Sequence, residues 1–204
     1  MNQLYKSRIN LDESLRDLRV SEYKREVDEY WKKEYEVLDF LSQNFLLPEL
    51  SKLIKDYYQH QSVEDVSSYG YINTNGTKEG LWISWRRHSG SKITTGKYYN
   101  NLKEGHWTSH SAGGILIRDC RYSQGLLDGP EICYYEISGK KHIETEWTQG
   151  KKNGIEIKWD REGFMREKRN YLNEELEGEQ FTFRSDGRIK LVKTYILGIR
   201  IDPL

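Results

Sequence analysis

His106 and His110 lie four residues apart, a spacing that on one face of a helix would hold a zinc ion between two imidazoles. The residues around them alternate as a strand does, and on a strand the pair would stand roughly 13 Å apart, too far for one metal. No cysteine or carboxylate joins them at ligand spacing, and His60, His88 and His142 are scattered. Cys120 and Cys133 flank one turn and form a candidate bridge. The register argued below sends them to opposite faces, which forbids a bond without backbone movement, so both are expected as reduced thiols of an intracellular protein. Glu144, Glu146 and Glu156 read as solvated strand positions. There is no nucleophile elbow, no phosphate-cradling glycine loop and no paired carboxylates, so catalysis, a cofactor and a bound metal are not expected.

The side chains that recur in a pattern are aromatic. Five residues after Gly80, Gly105, Gly129, Gly154 and Gly178 stand Trp85, His110, Tyr134, Trp159 and Phe183. Eight residues after Gly90, Gly114, Gly139, Gly163 and Gly187 stand Tyr98, Tyr122, Trp147, Tyr171 and Tyr195. Tyr and Trp supply large rigid contact area, so Trp85, Tyr98, Tyr122, Tyr134, Trp147, Trp159, Tyr171, Phe183 and Tyr195 are the candidate binding residues. A recognition groove and the sheet's own packing both remain open for them.

The element that positions these rings repeats every 24 or 25 residues. Self-similarity at a fixed period marks a supersecondary unit that cannot bury its apolar side alone and must stack. Between the two glycines of a unit lies an alternating run such as Ile155-Glu156-Ile157-Lys158-Trp159, and a second run follows the middle glycine. Each unit reads as a β-hairpin. A three-residue loop with Gly187 left-handed sets Phe183 opposite Ile189 and Phe181 opposite Leu191, matching apolar with apolar. In the preceding unit the same register sets Trp159 against Met165. Both sets of aromatics then fall on one face. The other face carries Trp82, Trp107, Ile93 and Ile117 at its start, and Glu156, Lys158, Arg166, Lys168 and Lys190 facing water further on. With a leading strand at Tyr69–Asn73 the sheet has about eleven strands and spans roughly 50 Å.

Before Val63 the pattern is helical. Asn10-Leu11-Asp12-Glu13 has the form of a capping box, and Leu11, Leu15, Leu18, Tyr23, Val27, Tyr30, Glu34, Val37 or Leu38, and Leu41 follow at helical spacing, with a break near Val20-Ser21. Pro48 opens a second helix with the stripe Leu50, Leu53, Ile54, Tyr57 and Tyr58. Both helices are amphipathic and need cover. They are expected to cap the first repeats over Trp82, Trp107, Ile93 and Ile117, the alternative being that they bind another protein.

The expected fold is therefore α+β. N-terminal amphipathic helices (residues 1–62, a cap or interaction segment) precede an elongated single-layer antiparallel β-meander of about five hairpin repeats (63–204). Lys plus Arg and Asp plus Glu number 32 each, which removes the footprint of a nucleic-acid binder. The absence of a leader and of a membrane-length apolar run leads to the expectation of a cytoplasmic protein.

The unit, with its strand aromatics, glycine turn, closing Tyr or Trp and polar turn of the type Gln149-Gly150-Lys151-Lys152-Asn153-Gly154, resembles the MORN repeat. More narrowly it looks like the variant of the type found in antitoxin-labelled bacterial and large DNA virus proteins. The resemblance covers roughly residues 69–200. Asn101 and Glu174 depart from it where Gly125, Gly150 and Gly198 hold the turn, as do Pro130 and Glu179 at apolar positions. It implies a curled antiparallel sheet used mainly for protein contact. The expected function is a non-catalytic protein–protein interaction or scaffold module, with self-association through the free last strand near Tyr195–Ile201 as a structural variant. Two alternatives stand beside it. One is a peripheral lipid-surface binder, for which no basic cluster is present. The other is an adaptor using the F-box-like stretch 47–58.

Overall fold

The computed structural model describes residues 2–45, 61–65, 68–86 and 89–201. The expected helix from Pro48 and the F-box-like stretch lie outside them. The described chain is α+β, one N-terminal helix followed by antiparallel β-structure. It divides into two compact units, one of Met1–Lys103 with Ala112–Gly114, the other of Glu104–Ser111 with Ile115–Leu204.

The first unit holds α1 (Asn2–Phe45), β1 (Gln61–Asp65), β2 (Ser68–Ile72), β3 (Lys78–Trp85) and β4 (Lys92–Tyr99), the strands pairing antiparallel in that order. Helix α1 runs through Asn10–Glu13, so the capping-box pattern does not start it, and it does not break at Val20-Ser21. Ser21 Oγ donates to the Asp17 carbonyl at 2.8 Å, the back-bond of a serine inside a helix. Among the described side chains, the buried stripe of α1 leaves out some of the expected positions. Val27 and Trp31 are 0 % and 2 % exposed, with Val20, Tyr23 and Tyr30 packed beside them, whereas Leu15, Leu18 and Val37 are exposed. A helix of 44 residues is roughly 66 Å long and β3 of 8 residues roughly 26 Å, and among the described side chains of α1 the packed apolar ones run from Val20 to Trp31.

That surface is not the one expected. Helix α1 covers Ile83, Trp85 and Leu81 of β3 with Tyr69 and Tyr71 of β2, the side opposite Trp82. Tyr23 meets Trp85 at 6.4 Å between ring centroids and Trp31 meets Tyr71 at 5.3 Å. Tyr71 and Tyr69 donate hydroxyl bonds to Asp28 of the helix at 2.6 and 3.1 Å. Gly80 (φ 61°) lets the helix approach, since a Cβ there would lie 2.5 Å from the Trp31 ring. Trp82 needs no helix, because its indole lies over Gly70 and donates to the Tyr71 and Glu79 carbonyls.

The second unit is built of β5 (Leu102–His110, from Glu104 on), β6 (Leu116–Ser123), β7 (Leu126–Leu127), β8 (Gly129–Tyr134), β9 (Lys141–Thr148) and β10 (Lys151–Trp159). It continues with β11 (Met165–Leu172), β12 (Glu175–Leu176), β13 (Gly178–Phe183), β14 (Ile189–Ile196) and β15 (Ile199–Arg200). Neighbours pair antiparallel in chain order, with β7 against β6 and β12 against β11. The chain thus shows fifteen strand segments among the described residues, more than the eleven expected, because β1 and the short β7, β12 and β15 were not foreseen.

Trp159 pairs with Met165 and Phe183 with Ile189, as the turn chemistry demanded. Phe181, however, pairs with Val192 and not with Leu191. Between Ile189 and Leu191 one residue, Lys190, is extra, and the pair continues as Thr182 opposite Leu191. The same shift falls after Trp85–Lys92, His110–Leu116, Tyr134–Lys141 and Trp159–Met165. A bulge of one residue sends everything beyond it to the opposite face.

Three expectations fall with it. The two sets of aromatics do not share a face. Paired residues lie on one side of a sheet, so Phe183 shares the face of Ile189 and Val192, while Tyr195, opposite Gly178, shares that of Gln180 and Thr182. Cys120 and Cys133 are on the same face, since Cys133 is opposite Arg118, and no disulfide joins them. Burial pushes the Cys133 thiol above its ordinary value, with the Glu131 charge adding to it. Glu156, expected in water, is 3 % exposed.

The turns from one hairpin to the next are uniform. Asn100-Asn101, Gln124-Gly125, Gln149-Gly150, Asn173-Glu174 and Leu197-Gly198 all have positive φ at both central positions, the two-residue type I′ geometry. Asn101 and Glu174 therefore keep the glycine turn's shape.

Candidate functional site

In unit 2 the residues three and five positions after each opening glycine form one face. Its rows follow from the pairing: Asp119, Ile132, Glu144, Ile157, Lys168 and Phe181 lie side by side, ending at Val192. Tyr134 with Lys141, Trp159 with Met165 and Phe183 with Ile189 make the neighbouring row. Tyr134, Trp159 and Phe183 are half-buried, and Ile189 and Val192 are 54 % and 38 % exposed. Lys141 Nζ lies 5.7 Å from the Trp159 ring and 2.9 Å from Glu144, and the Phe181 and Phe183 rings stack at 6.3 Å. At the turn end, Tyr135, Glu136, Ile137, Ser138 and Arg161 line a cleft of about 430 Å³, with Ile137 90 % exposed. Tyr135 stacks on His142 at 4.3 Å and donates its hydroxyl to the Trp159 carbonyl at 2.8 Å.

The opposite face of unit 2 carries Tyr122, Trp147, Tyr171 and Tyr195, each directly across from an opening glycine: Gly105, Gly129, Gly154 and Gly178. Beside the rings sit the side chains two positions after those glycines. Trp107 meets Tyr122 edge-on at 6.2 Å, and Trp147 Nε1 donates to Glu131 at 2.9 Å. Lys152 Nζ lies 5.0 Å from the Tyr171 ring and pairs with Glu156. Gln180, 8 % exposed, donates to the Asn170, Glu177 and Gly178 carbonyls.

Charges on this face are closely matched. Glu131 accepts from Arg118 at 2.5 Å, Lys158 stands 3.6 Å from Glu156 and 3.5 Å from Glu167, and Arg169 is 2.8 Å from Glu167. Burial opposes ionisation of Glu156, yet the bond from Lys152 and the charges of Lys152, Lys158 and Arg169 hold its carboxyl below the ordinary value. Burial likewise pushes the Tyr122 hydroxyl up, with Arg118 pulling the other way.

The nine candidate rings are thus divided. Trp85 is core beneath α1, 4 % exposed, and Tyr98 packs edge-on against Trp82 at 5.9 Å. Tyr122, Trp147, Tyr171 and Tyr195 stand on one face of unit 2, and Tyr134, Trp159 and Phe183 on the other. Glu131, Glu156 and Gln180 were missed as packing residues. Their signal was positional, because like Trp82 and Trp107 they stand two residues after Gly80, Gly105, Gly129, Gly154 or Gly178. His106 is 2.6 Å from Asp119, and among the described residues no cluster of three or more His, Cys, Asp or Glu is placed to hold a metal.

The geometry defines an α+β protein with a helix-covered sheet in one unit and a half-buried sheet face in the other. No protein-family model matches the chain, and no curated protein matches it. Among the described residues no helix is long and apolar enough to cross a membrane.

Proposed function

We propose that this chain is a non-catalytic protein-interaction or scaffold module, a MORN-like array of five hairpin repeats that binds another protein through the Tyr134, Trp159 and Phe183 face of unit 2. One contrast carries the reading. The columns that hold Ile83 and Trp85 in unit 1 are sealed by α1, whereas in unit 2 the same columns hold Ile157, Trp159, Phe181 and Phe183 only half-buried, with no second layer of that unit over them. A half-buried row of large rings on a semi-rigid sheet is the composition of a contact hot spot. The opposite face suits this role less, because its polar groups are already engaged with one another.

A photo-crosslinking side chain placed at Met165, between the rings, and another at Lys193 on the opposite face test the assignment in the source cell's extract. The module predicts one protein captured from Met165 alone, which then binds the purified chain and is lost with Trp159→Ala. Identical capture from both positions, or none from Met165, removes it.

A further inference from the structure

We infer that the end of this face along β13 seats an amphipathic α-helix of a partner protein, one carrying an acidic residue for Lys168, in the way α1 sits along β3. The inference rests on the interaction reading above and specifies the partner's form.

The seat is equivalent position by position. Gly80, Ile83 and Trp85 beneath α1 correspond to Gly178, Phe181 and Phe183. At Gly80 the recess over the backbone holds the Trp31 ring, while a Cβ added at Gly178 would meet nothing within 4 Å. Val192 and Ile189, paired with Phe181 and Phe183, widen the apolar strip and are exposed. Residues Val20–Trp31 show what such a strip accepts: Val27 and Trp31, four apart, with Tyr23 and Tyr30 at the margins.

A helix is favoured over an extended peptide by hydrogen-bond accounting. The backbone of β13 is paired with β11 and β14, so a peptide laid on this face finds no ladder and would leave its own N–H and C=O groups unpaired against apolar rings. A helix satisfies its own backbone and offers only side chains.

Charge gives the second specification. Half-buried Lys152, Lys158, Arg166 and Arg169 all have carboxylate partners. The side chain of Lys168, opposite Phe181 on the proposed seat, makes no ion pair or hydrogen bond among the described residues. Lys168 stands where Tyr69, paired with Ile83, stands beneath α1, and there the Tyr69 hydroxyl donates to Asp28 of the helix at 3.1 Å, one residue after the buried Val27. A partner acid beside its apolar anchor would neutralise Lys168 from the same position.

The test uses a fluorescein-labelled, lactam-stapled peptide with the sequence of residues 16–34 as the helix probe, titrated into the intact chain and read by anisotropy. Binding is expected, with about a tenfold or greater loss in Phe183→Ala and a loss of about threefold to tenfold in Lys168→Glu, a half-buried position of β11, with an unchanged circular dichroism spectrum as the control for folding. A peptide bearing Asp28→Lys should recover binding to Lys168→Glu and lose it to the parent chain. Absence of binding up to about 1 mM peptide overturns the inference. So does binding indifferent to both substitutions, which would mean exchange with α1 on unit 1, and so does failure of the charge swap. If Met165 still captures a protein while the peptide fails, the interaction module stands and its helical partner does not.

Discussion

The indole of Trp82 occupies the space in which Gly70 would carry a side chain, a Cβ there lying 2.2 Å from Cδ2 and Cε2 of the ring. Trp82 is held from the other side by Tyr98, and Lys78 Nζ lies 4.2 Å from its ring, so the indole has nowhere to retreat. Gly70→Ala should destabilise unit 1 by about 2–4 kcal/mol. Thermal or urea denaturation followed by tryptophan fluorescence reads this directly, and an unchanged midpoint would refute the packing.

The helix contact makes an unequal prediction along one element. Trp31→Ala should cost about 3–5 kcal/mol, because it empties the recess over Gly80. Leu18→Ala, at a position 58 % exposed, should stay within about 0.5 kcal/mol. Equal losses at the two positions would mean that α1 is seated differently.

Glu156 makes unit 2 sensitive to acid. Its folded-state value is held below the ordinary carboxylate value, so the ionised form favours folding. That contribution is complete above the unfolded value and disappears as the pH falls through the depressed folded one. Stability should therefore decline below about pH 4, and Glu156→Gln should flatten the decline. At neutral pH the substitution should cost about 2 kcal/mol, since Lys152 loses its partner in a half-buried site. Denaturation midpoints from pH 3 to pH 7 (roughly the carboxylate range and above) would settle both.

Glu174 holds a positive φ of 77° and its carboxylate accepts the Lys152 N–H at 2.5 Å, while its own N–H donates to the Lys152 carbonyl at 2.9 Å. Glu174→Ala keeps the strain and loses the side-chain bond, for a cost of about 1–2 kcal/mol. Glu174→Gly loses the bond but relieves the strain, and should stay within about 1 kcal/mol of the parent. A glycine variant as damaging as the alanine one would show that the bond alone matters.

The hairpins were legible because they are local. Gly163 and Gly187 mark loops whose first pairs, Trp159–Met165 and Phe183–Ile189, follow from turn geometry, and the positive-φ turns follow from Gly125, Gly150 and Gly198. The bulge was not legible. An extra residue at Lys190 or Arg166 leaves no mark in an alternating pattern that reads almost equally well in either phase. Missing it placed Tyr195 with Phe183, and Cys120 away from Cys133.

The sequence alone determined that the chain forms β-hairpins and which residues pair nearest the Gly163 and Gly187 loops, because these depend on steric limits within a few consecutive residues. Which face each later ring occupies, which side of β3 receives α1, and that Glu156 is buried while Phe183 and Ile189 are left without a covering layer in unit 2 were decided by tertiary structure. Those outcomes depend on contacts summed over residues far apart in the chain. A one-residue shift changes every one of them while leaving the local pattern intact.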